Sequence, residues 1–269
     1  RGQPLSPTTR RHIHATAVAM FRWAVRQGFL AANPTDKTDP PQKDFKPRSI
    51  IPATQQASVV EAVRTMGPVR DSPDWMMSAA VRLSLATGAR QGELVGLRWR
   101  DWDPARQVLT VARSISRQNS VREGGKSQRI RHVRLSDSMT EWMGRWRATL
   151  KALGDAHGLP HPTAEDPIVT WVTPRGSPAW RGHVRPQLIS RWWSSTRLEV
   201  AEIVGDPSIG DFVWHRQRHS LITAAIESGV SPHNGGAVVG HHAVESTRGY
   251  WRDGGASAGR VADALPDLG

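Results

Sequence analysis

Trp214-His215-Arg216-Gln217-Arg218-His219-Ser220 opens a stretch that runs through an apolar segment to Gly229, then Val239-Gly240-His241, and closes on Gly249-Tyr250-Trp251. Residues 215–228 are predicted to form a helix stopped by Gly229 in a left-handed cap. His215 and Arg218 lie three apart, so on a helix they share a face. Ser231-Pro232 starts a further predicted helix to Val239, in which Gly235 and Gly236 each cost about 1 kcal/mol relative to alanine. Val244 to Trp251 forms another short helix, and Gly254-Gly255 a hinge before a last one over residues 256–265. Tyr250 is the only tyrosine, in a chain with twelve tryptophans. A phenol used once reads as chemistry, not as filling.

Working outward, the region upstream of this stretch alternates helices with a few short strands. Val59, Val63 and Met66 mark one helix, and residues 75–86 a second, more apolar one. Thr87-Gly88-Ala89-Arg90 is a turn, followed by a short helix over 91–97 with Leu94 and Leu97 inward. Residues 108–111 and 130–135 read as strands, with 113–121 a third candidate between them. Gly124-Gly125 sits in the turn before the last strand, and Lys126 follows at once. Ser136-Asp137 caps a helix whose Met139, Trp142, Met143, Trp146, Leu150 and Leu153 form a core stripe. Residues 154–166 are expected to be a loop, 167–172 an extended piece, and 174–178 a turn. Residues 188–204 are helical, with Ile189, Trp193, Val200 and Ile203 facing in. The fold class is mostly α with a small antiparallel β-sheet.

At the other end, Ser6-Pro7 starts a helix by N-capping, and Gly28 stops it. Ile13, Ala17, Met20, Phe21 and Ala24 form its apolar face; Arg10, Arg11, Arg22 and Arg26 form the opposite one. Residues 33–52 are proline-rich, charged and aperiodic, and read as an interdomain linker. The chain opens on arginine and reads as a processed product or a piece of something longer. Its 36 Lys and Arg outnumber 24 Asp and Glu, giving a formal net charge of +12 over 269 residues. That balance favours a polyanionic partner, nucleic acid before a membrane surface. The most basic stretch runs from Arg82 to Arg134, where Glu93, Asp101, Asp103 and Glu123 are the only acids. The absence of cysteine excludes disulfides, thiolate metal sites and cysteine nucleophiles. No segment is apolar enough to span a bilayer and none resembles a secretory signal, so a cytoplasmic setting is expected, bacterial or in the host of a mobile element.

Four of these motifs, in this order, resemble those of the tyrosine recombinases, or phage-type integrases. A-T-G-A-R-Q-G-E-L-V-G-L-R-W-R-D-W-D from Ala86 to Asp103 is similar to their first catalytic box. G-G-K-S-Q-R-I-R-H-V-R-L resembles the hairpin carrying their catalytic lysine. H-R-Q-R-H-S is similar to their second box, and V-G-H followed by S-T-R-G-Y to their third. The opening helix with F-R-W-A-V-R-Q-G-F-L-A-A-N-P resembles the end of their core-binding domain. The resemblance implies three parts: residues 1–32 as the last helix of a truncated core-binding domain, 33–52 as linker, and 53–269 as catalytic domain with a C-terminal tail helix. It also implies roles. Arg90 and Arg218 clamp the phosphate. His215 hydrogen-bonds it or accepts the tyrosyl proton, and His241 donates to a nonbridging oxygen. Lys126 protonates the leaving 5′ oxygen, and Tyr250 becomes a 3′-phosphotyrosyl adduct. Glu93 orients an arginine. Arg10, Arg22, Arg129 and Arg131 are candidate DNA contacts. Neither metal, other cofactor nor ATP is called for. The expected partners are double-stranded DNA, further copies of the chain (a tetramer on two sites) and a DNA-bending or directionality protein.

Chemistry supports those roles. Tyrosine titrates near 10, so only roughly one phenol in a thousand is ionised at neutral pH; clustered cations lower that value and stabilise a pentacoordinate phosphorus. Planar guanidinium groups match phosphate oxygens two at a time. Several alternatives stay open. Arg129 or Arg131 replaces Lys126, one of five lysines, if the hairpin register slips. His242 competes with His241. His215 and His219 have a metal-like spacing but lack a cysteine or nearby acid; His219 reads as a core histidine. Trp214 and Trp251 are candidates to line the pocket. Arg216 stands where the family has a small or acidic residue, and Gly235 and Gly249 weaken the segment carrying Tyr250. Competing functions are a DNA-binding relative without catalysis and a type IB topoisomerase. A metal-dependent nuclease is disfavoured because no carboxylate cluster is visible.

Overall fold

A computed structural model describes residues 4–42, 49–66, 74–123, 130–170, 179–180 and 182–230. Lys126, Arg129, Trp251, the third box with His241 and Tyr250, and the predicted tail helix lie outside the described residues. Contacts divide the chain into two units, Arg1–Arg48 and Ser49–Gly269.

The first unit holds helix α1, Pro7–Arg26, capped by the Ser6 hydroxyl and ended before Gly28 at φ +76°. On its apolar face Ile13 and Met20 are more than half exposed, while Ala17, Phe21 and Ala24 are partly buried. Part of the predicted linker folds back on it, since Arg11 donates to the Pro41 carbonyl and His14 bonds the Thr38 hydroxyl.

The second unit begins with α2, Ala53–Thr65, and α3, Asp74–Thr87. A four-residue helix α4, Gln91–Leu94, comes next, then a 3-10 turn over Trp99–Asp101. Five short strands succeed it: β1 Trp102–Asp103, β2 Val108–Val111, β3 Arg113–Ile115, β4 Val121–Glu123 and β5 Arg131–Arg134. They make two sheets. One is antiparallel in the order β1-β2-β5, and the other is a separate β3–β4 hairpin. The expected strand over 113–121 is therefore two strands: Asn119 at φ +64° reverses the chain between them. In β5, Arg131 and Val133 point inward while His132 and Arg134 face out, as the two-residue period of a strand requires.

Three helices complete the described unit: α5 Asp137–His157, α6 Pro186–Val204 and α7 Gln217–Glu227. Helix α5 runs past Gly154, the expected start of a loop, and stops at Gly158, φ +65°. Gly154 is instead a packing position: a Cβ there would lie 3.3 Å from the Trp180 ring. In α6, Ile189, Trp193 and Val200 are buried as predicted, but Ile203 is half exposed and Trp192 and Thr196 complete the inner face.

One core joins α2, α3, α5, α6 and the three-stranded sheet. Trp193 on α6 positions the segment that leads into the second box. Its indole donates to the Phe212 carbonyl at 2.9 Å, and its ring meets Phe212 and Trp214 edge-on at 5.8 and 6.0 Å. Trp214 is thereby buried next to His215. The entry to the unit is tied to the same region. The Ile51 amide donates to the buried Ser220 hydroxyl. Arg216, anomalous in the sequence comparison with the family, donates to the Ser49 hydroxyl at 2.8 Å.

Candidate active site

The Thr87-Gly88-Ala89-Arg90 turn is built to present carbonyls and one guanidinium. The Thr87 hydroxyl donates back to Leu83 and accepts the Ala89 amide. Gly88 adopts φ +58°, a left-handed conformation natural to glycine. The two carbonyls so exposed each receive an arginine: Arg131 donates to Thr87 and Arg218 to Gly88, at 3.4 and 2.8 Å. Box one and box two, far apart in sequence, are joined through backbone.

Glu93 is the centre of the cluster. As third residue of α4 it reaches back to the Arg90 amide at 3.0 Å, one half of a capping box, and accepts from the Arg90 side chain at 2.7 Å. The same carboxylate accepts from Arg131 at 2.9 Å and lies 3.7 Å from Arg218. Burial pushes its carboxyl up, but Arg131 and the two Arg90 hydrogen bonds outweigh burial and hold it below the usual range. Burial and the neighbouring Arg90 charge pull Arg131 down, against Glu93. Burial, with repulsion from Arg90 and Arg131, brings Arg218 down to about 9. Burial is thus the main cause for both arginines, with like-charge repulsion adding to it.

Helix α4 lies close against β3 because residue 92 is glycine. A Cβ there would sit 2.5 Å from both the Ile115 carbonyl and the Ser114 hydroxyl. Between these elements, α6 and box two is a cleft of about 890 Å³ lined by Arg90, Glu93, Ser114, Ser190, His215 and Arg218 among others. His215 is exposed at this cleft, whereas Arg218 is buried. The two do not share one α-helical face as expected. Residues 214–216 form a 3-10 turn closed by the Gln217 amide on the Trp214 carbonyl, and α7 begins only at Gln217. Both still line the cleft. Trp214 lines it too, and His219 is half-buried.

Of the predicted site residues that are described, Arg90, Glu93, His215 and Arg218 come together. Arg131 joins them from below: it is buried on Glu93, not displayed on the surface as a DNA contact would be. Arg10 and Arg22 are exposed on α1 in the other unit. Among the described residues no group of three or more acids and histidines could hold a metal ion, and no helix is long and apolar enough to cross a membrane. Sequence reasoning does not single out Arg117, Arg185 and Arg191, which crowd the rim of the cleft and the space beside it. A sequence signal does exist in Arg185-Pro186, a helix start flanked by arginine.

A family model described as the phage integrase family matches residues 54–254. Tyrosine recombinase XerD of Lacticaseibacillus casei is 23% identical over 231 residues, 86% of this chain and 67% of that protein. XerC of Mycobacterium tuberculosis (strain ATCC 25177 / H37Ra) is 25% identical over 255 residues, 93% and 74% of the two chains. Among solved structures, the Tn1549 transposon integrase in complex with a circular intermediate DNA aligns with a TM-score of 0.65 at 18% identity, covering 91% of this chain and 75% of that one. A lambda integrase dimer bound to a COC′ core site aligns at 0.57 and 16% identity, covering 96% and 74%. At such identities these structures speak to the fold, mostly helical with small antiparallel sheets. The length matched by the family model decides the rest: the chain belongs to the phage integrase family of tyrosine recombinases, enzymes of DNA strand transfer in site-specific recombination.

Proposed function

We propose that this chain cleaves and rejoins double-stranded DNA through Tyr250. The observation that carries the reading is the charge of the cleft: Glu93 is the one carboxylate among its described lining residues, against Arg90, Arg117, Arg191 and Arg218. Such a surface suits a phosphodiester, whose nonbridging oxygens accept from planar guanidinium groups.

In the proposed step, the Tyr250 oxygen forms a bond to phosphorus while the bond from phosphorus to the 5′ oxygen breaks. The phenol proton leaves, with His215 accepting it or hydrogen-bonding the phosphate. The 5′ oxygen takes a proton from Lys126. Arg90, Arg218 and His241 compensate the charge that builds on the nonbridging oxygens. The product is a 3′-phosphotyrosyl adduct with a free 5′ hydroxyl. Attack by a 5′ hydroxyl reverses it. One phosphoester is exchanged for another, so the reaction draws on neither ATP nor a metal. Arg131 does not touch DNA in this scheme; it holds Glu93, which holds Arg90. The unit Arg1–Arg48 adds DNA contacts through Arg10 and Arg22, with Arg129 a further contact in the second unit. The lambda integrase in the solved structure is a dimer on its core site; this chain is proposed to act as a homo-oligomer, for which the family resemblance implies a tetramer on two sites, with an accessory DNA-bending or directionality protein, in the cytoplasm.

The test is a library of nicked duplexes, on which strand loss past the nick traps the adduct. A covalent protein–DNA band formed by the wild type and absent in Tyr250→Phe is expected. A band that persists in Tyr250→Phe overturns the assignment of the nucleophile, and no band with either protein overturns the activity. Cleavage confined to one sequence separates a recombinase from site-independent relaxation.

A further inference from the structure

Beside the cleft lies a second basin of about 660 Å³, lined by Arg117, Asn119, His183, Arg185, Gln187 and Arg191 among others. It contains no carboxylate among its described lining residues. Elsewhere on this unit several arginines face acids: Arg64 meets Glu61, Arg98 and Arg100 meet Glu165, Arg106 meets Asp103 and Arg145 meets Glu141. Among the described residues Arg134, Arg147 and Arg197 do not, and rest instead on the Gln107 amide oxygen, the Trp99 ring and the Phe212 carbonyl. Arg117, Arg185 and Arg191 meet none among the described residues. Three like charges gathered around a hollow repel one another, and nothing in the described structure balances them.

The basin is also braced. The reversal between β3 and β4 that carries Arg117 is closed by the Ser116 and Ser120 hydroxyls at 2.6 Å and by the Ser116 amide on the Ser120 carbonyl at 2.8 Å. Gln187 on α6 donates to the Arg117 carbonyl at 3.0 Å, tying the turn to the helix. His183 bonds the carbonyl of Val95 at 2.9 Å, just past α4. The walls are thus linked to the same short helix that carries Glu93. The two hollows share Arg117, Gln187 and Arg191 as lining, so they lie side by side and together make one basic trough along this face.

We infer that this basin seats backbone phosphates of the DNA strand next to the one attacked, with Arg117, Arg185 and Arg191 as the contacts. The inference rests on the proposed strand-transfer reading and adds a positioning surface to it. Phosphates along one strand recur at regular spacing, so a trough prolonging the cleft meets the neighbours of whichever phosphate fills the cleft. Contacts of this kind fix register and carry no sequence information.

The experiment measures binding of the full chain to a short random-sequence duplex over a salt series. Each phosphate contact contributes about −0.9 to the slope of log affinity against log salt. Arg185→Ala, a residue of the basin alone, should make the slope shallower by about 0.9, and Arg117→Ala with Arg185→Ala by roughly twice that. Arg145→Ala, on α5 away from the trough, controls for net charge and should leave the slope as it is. An unchanged slope in folded Arg185→Ala protein, checked by its melting temperature, overturns the inference; so does an equal change in Arg145→Ala. The failures are separable. If the slope is unchanged while Tyr250→Phe still abolishes the covalent band, the basin is wrong and the strand-transfer reading stands. If the slope falls as expected but no covalent band forms, the basin binds DNA and the catalytic reading is wrong.

Discussion

Replacing Glu93 by glutamine keeps the shape of the cluster and removes its only described carboxylate. The arithmetic starts from Arg131, 2.9 Å away, with both side chains less than a tenth exposed. At an effective dielectric near 20, that separation corresponds to about 6 kcal/mol of gross attraction, part of which offsets the cost of dehydrating both ions. Arg90 is over a third exposed, so its share is that of a surface pair, about 0.2–1 kcal/mol. Removing one partner of a buried ion pair typically costs about 3–5 kcal/mol, because the other charge stays buried. We therefore expect Glu93→Gln to lower unfolding free energy by about 3–5 kcal/mol at pH 7, a large part of the ~5–15 kcal/mol typical of a domain. The assay is urea denaturation followed by tryptophan fluorescence, read as a lower midpoint at unchanged slope. A pH series supplies the second readout. The Glu93 carboxyl is depressed in the folded state, so its contribution is present above the unfolded carboxylate value and is lost as pH falls through the folded one. The gap between wild type and variant should be widest near neutrality and close below the ordinary carboxylate value of 4.5. A loss under about 1 kcal/mol at pH 7, the size of a surface pair, or a gap that widens in acid, refutes the idea that this carboxylate holds the arginines together.

Two further variants probe the frame around the cluster. Gly92→Ala puts a Cβ 2.5 Å from the Ile115 carbonyl and the Ser114 hydroxyl; we expect about 1–3 kcal/mol of destabilisation from forced overpacking, and slower formation of the covalent adduct because α4 is pushed from β3. Full stability and adduct rate would show that the approach relaxes without cost. Trp193→Ala removes the indole that pins Phe212 and Trp214; about 3–5 kcal/mol is expected, read by chemical denaturation, and a loss below about 1 kcal/mol, far short of that range, would place the anchor of box two elsewhere.

How much the sequence discloses depends on how local the determining contacts are. The T-G-A-R turn and the Glu93-to-Arg90 bond lie within a few residues, inside the stretch that carries the family resemblance, so the resemblance already points to them. The burial of Arg131 does not show. Arg-His-Val-Arg alternates, but both alternating sets are polar at one position or more, and only pairing of β5 with β2 decides that Arg131 and Val133 turn inward. The end of α5 departs from expectation for a related reason. Gly154 and Gly158 are both plausible stops four residues apart; the helix ends at Gly158, which takes the left-handed cap, while Gly154 stays helical and packs closely against the Leu159 carbonyl and the Trp180 ring. The early start expected of α7 rests on treating His215 and Arg218 as one helical face. The 3-10 turn that separates them begins at Trp214, whose ring meets Trp193 across 21 residues.

These cases share one structure. Each side chain that bears on the chemistry is named by a local motif, while its placement is set by a contact from another part of the chain. Arg218 is held by the Gly88 carbonyl, Glu93 by Arg131, and His215 comes directly after a tryptophan fixed by α6. A cluster with more guanidinium than carboxylate cannot assemble itself, since its members repel; the surrounding fold must hold it. Arg218 is brought down to about 9, by burial first and its two cationic neighbours second. On the proposed reading, an entering phosphate would add negative charge beside these guanidinium groups, so that binding and relief of like-charge repulsion would coincide. Substitutions weakening the frame, Arg131 and Arg218 included, and those removing an exposed basin cation such as Arg185 should therefore be distinguishable: the first lower stability and activity together, while the second leave stability nearly unchanged and weaken binding to DNA.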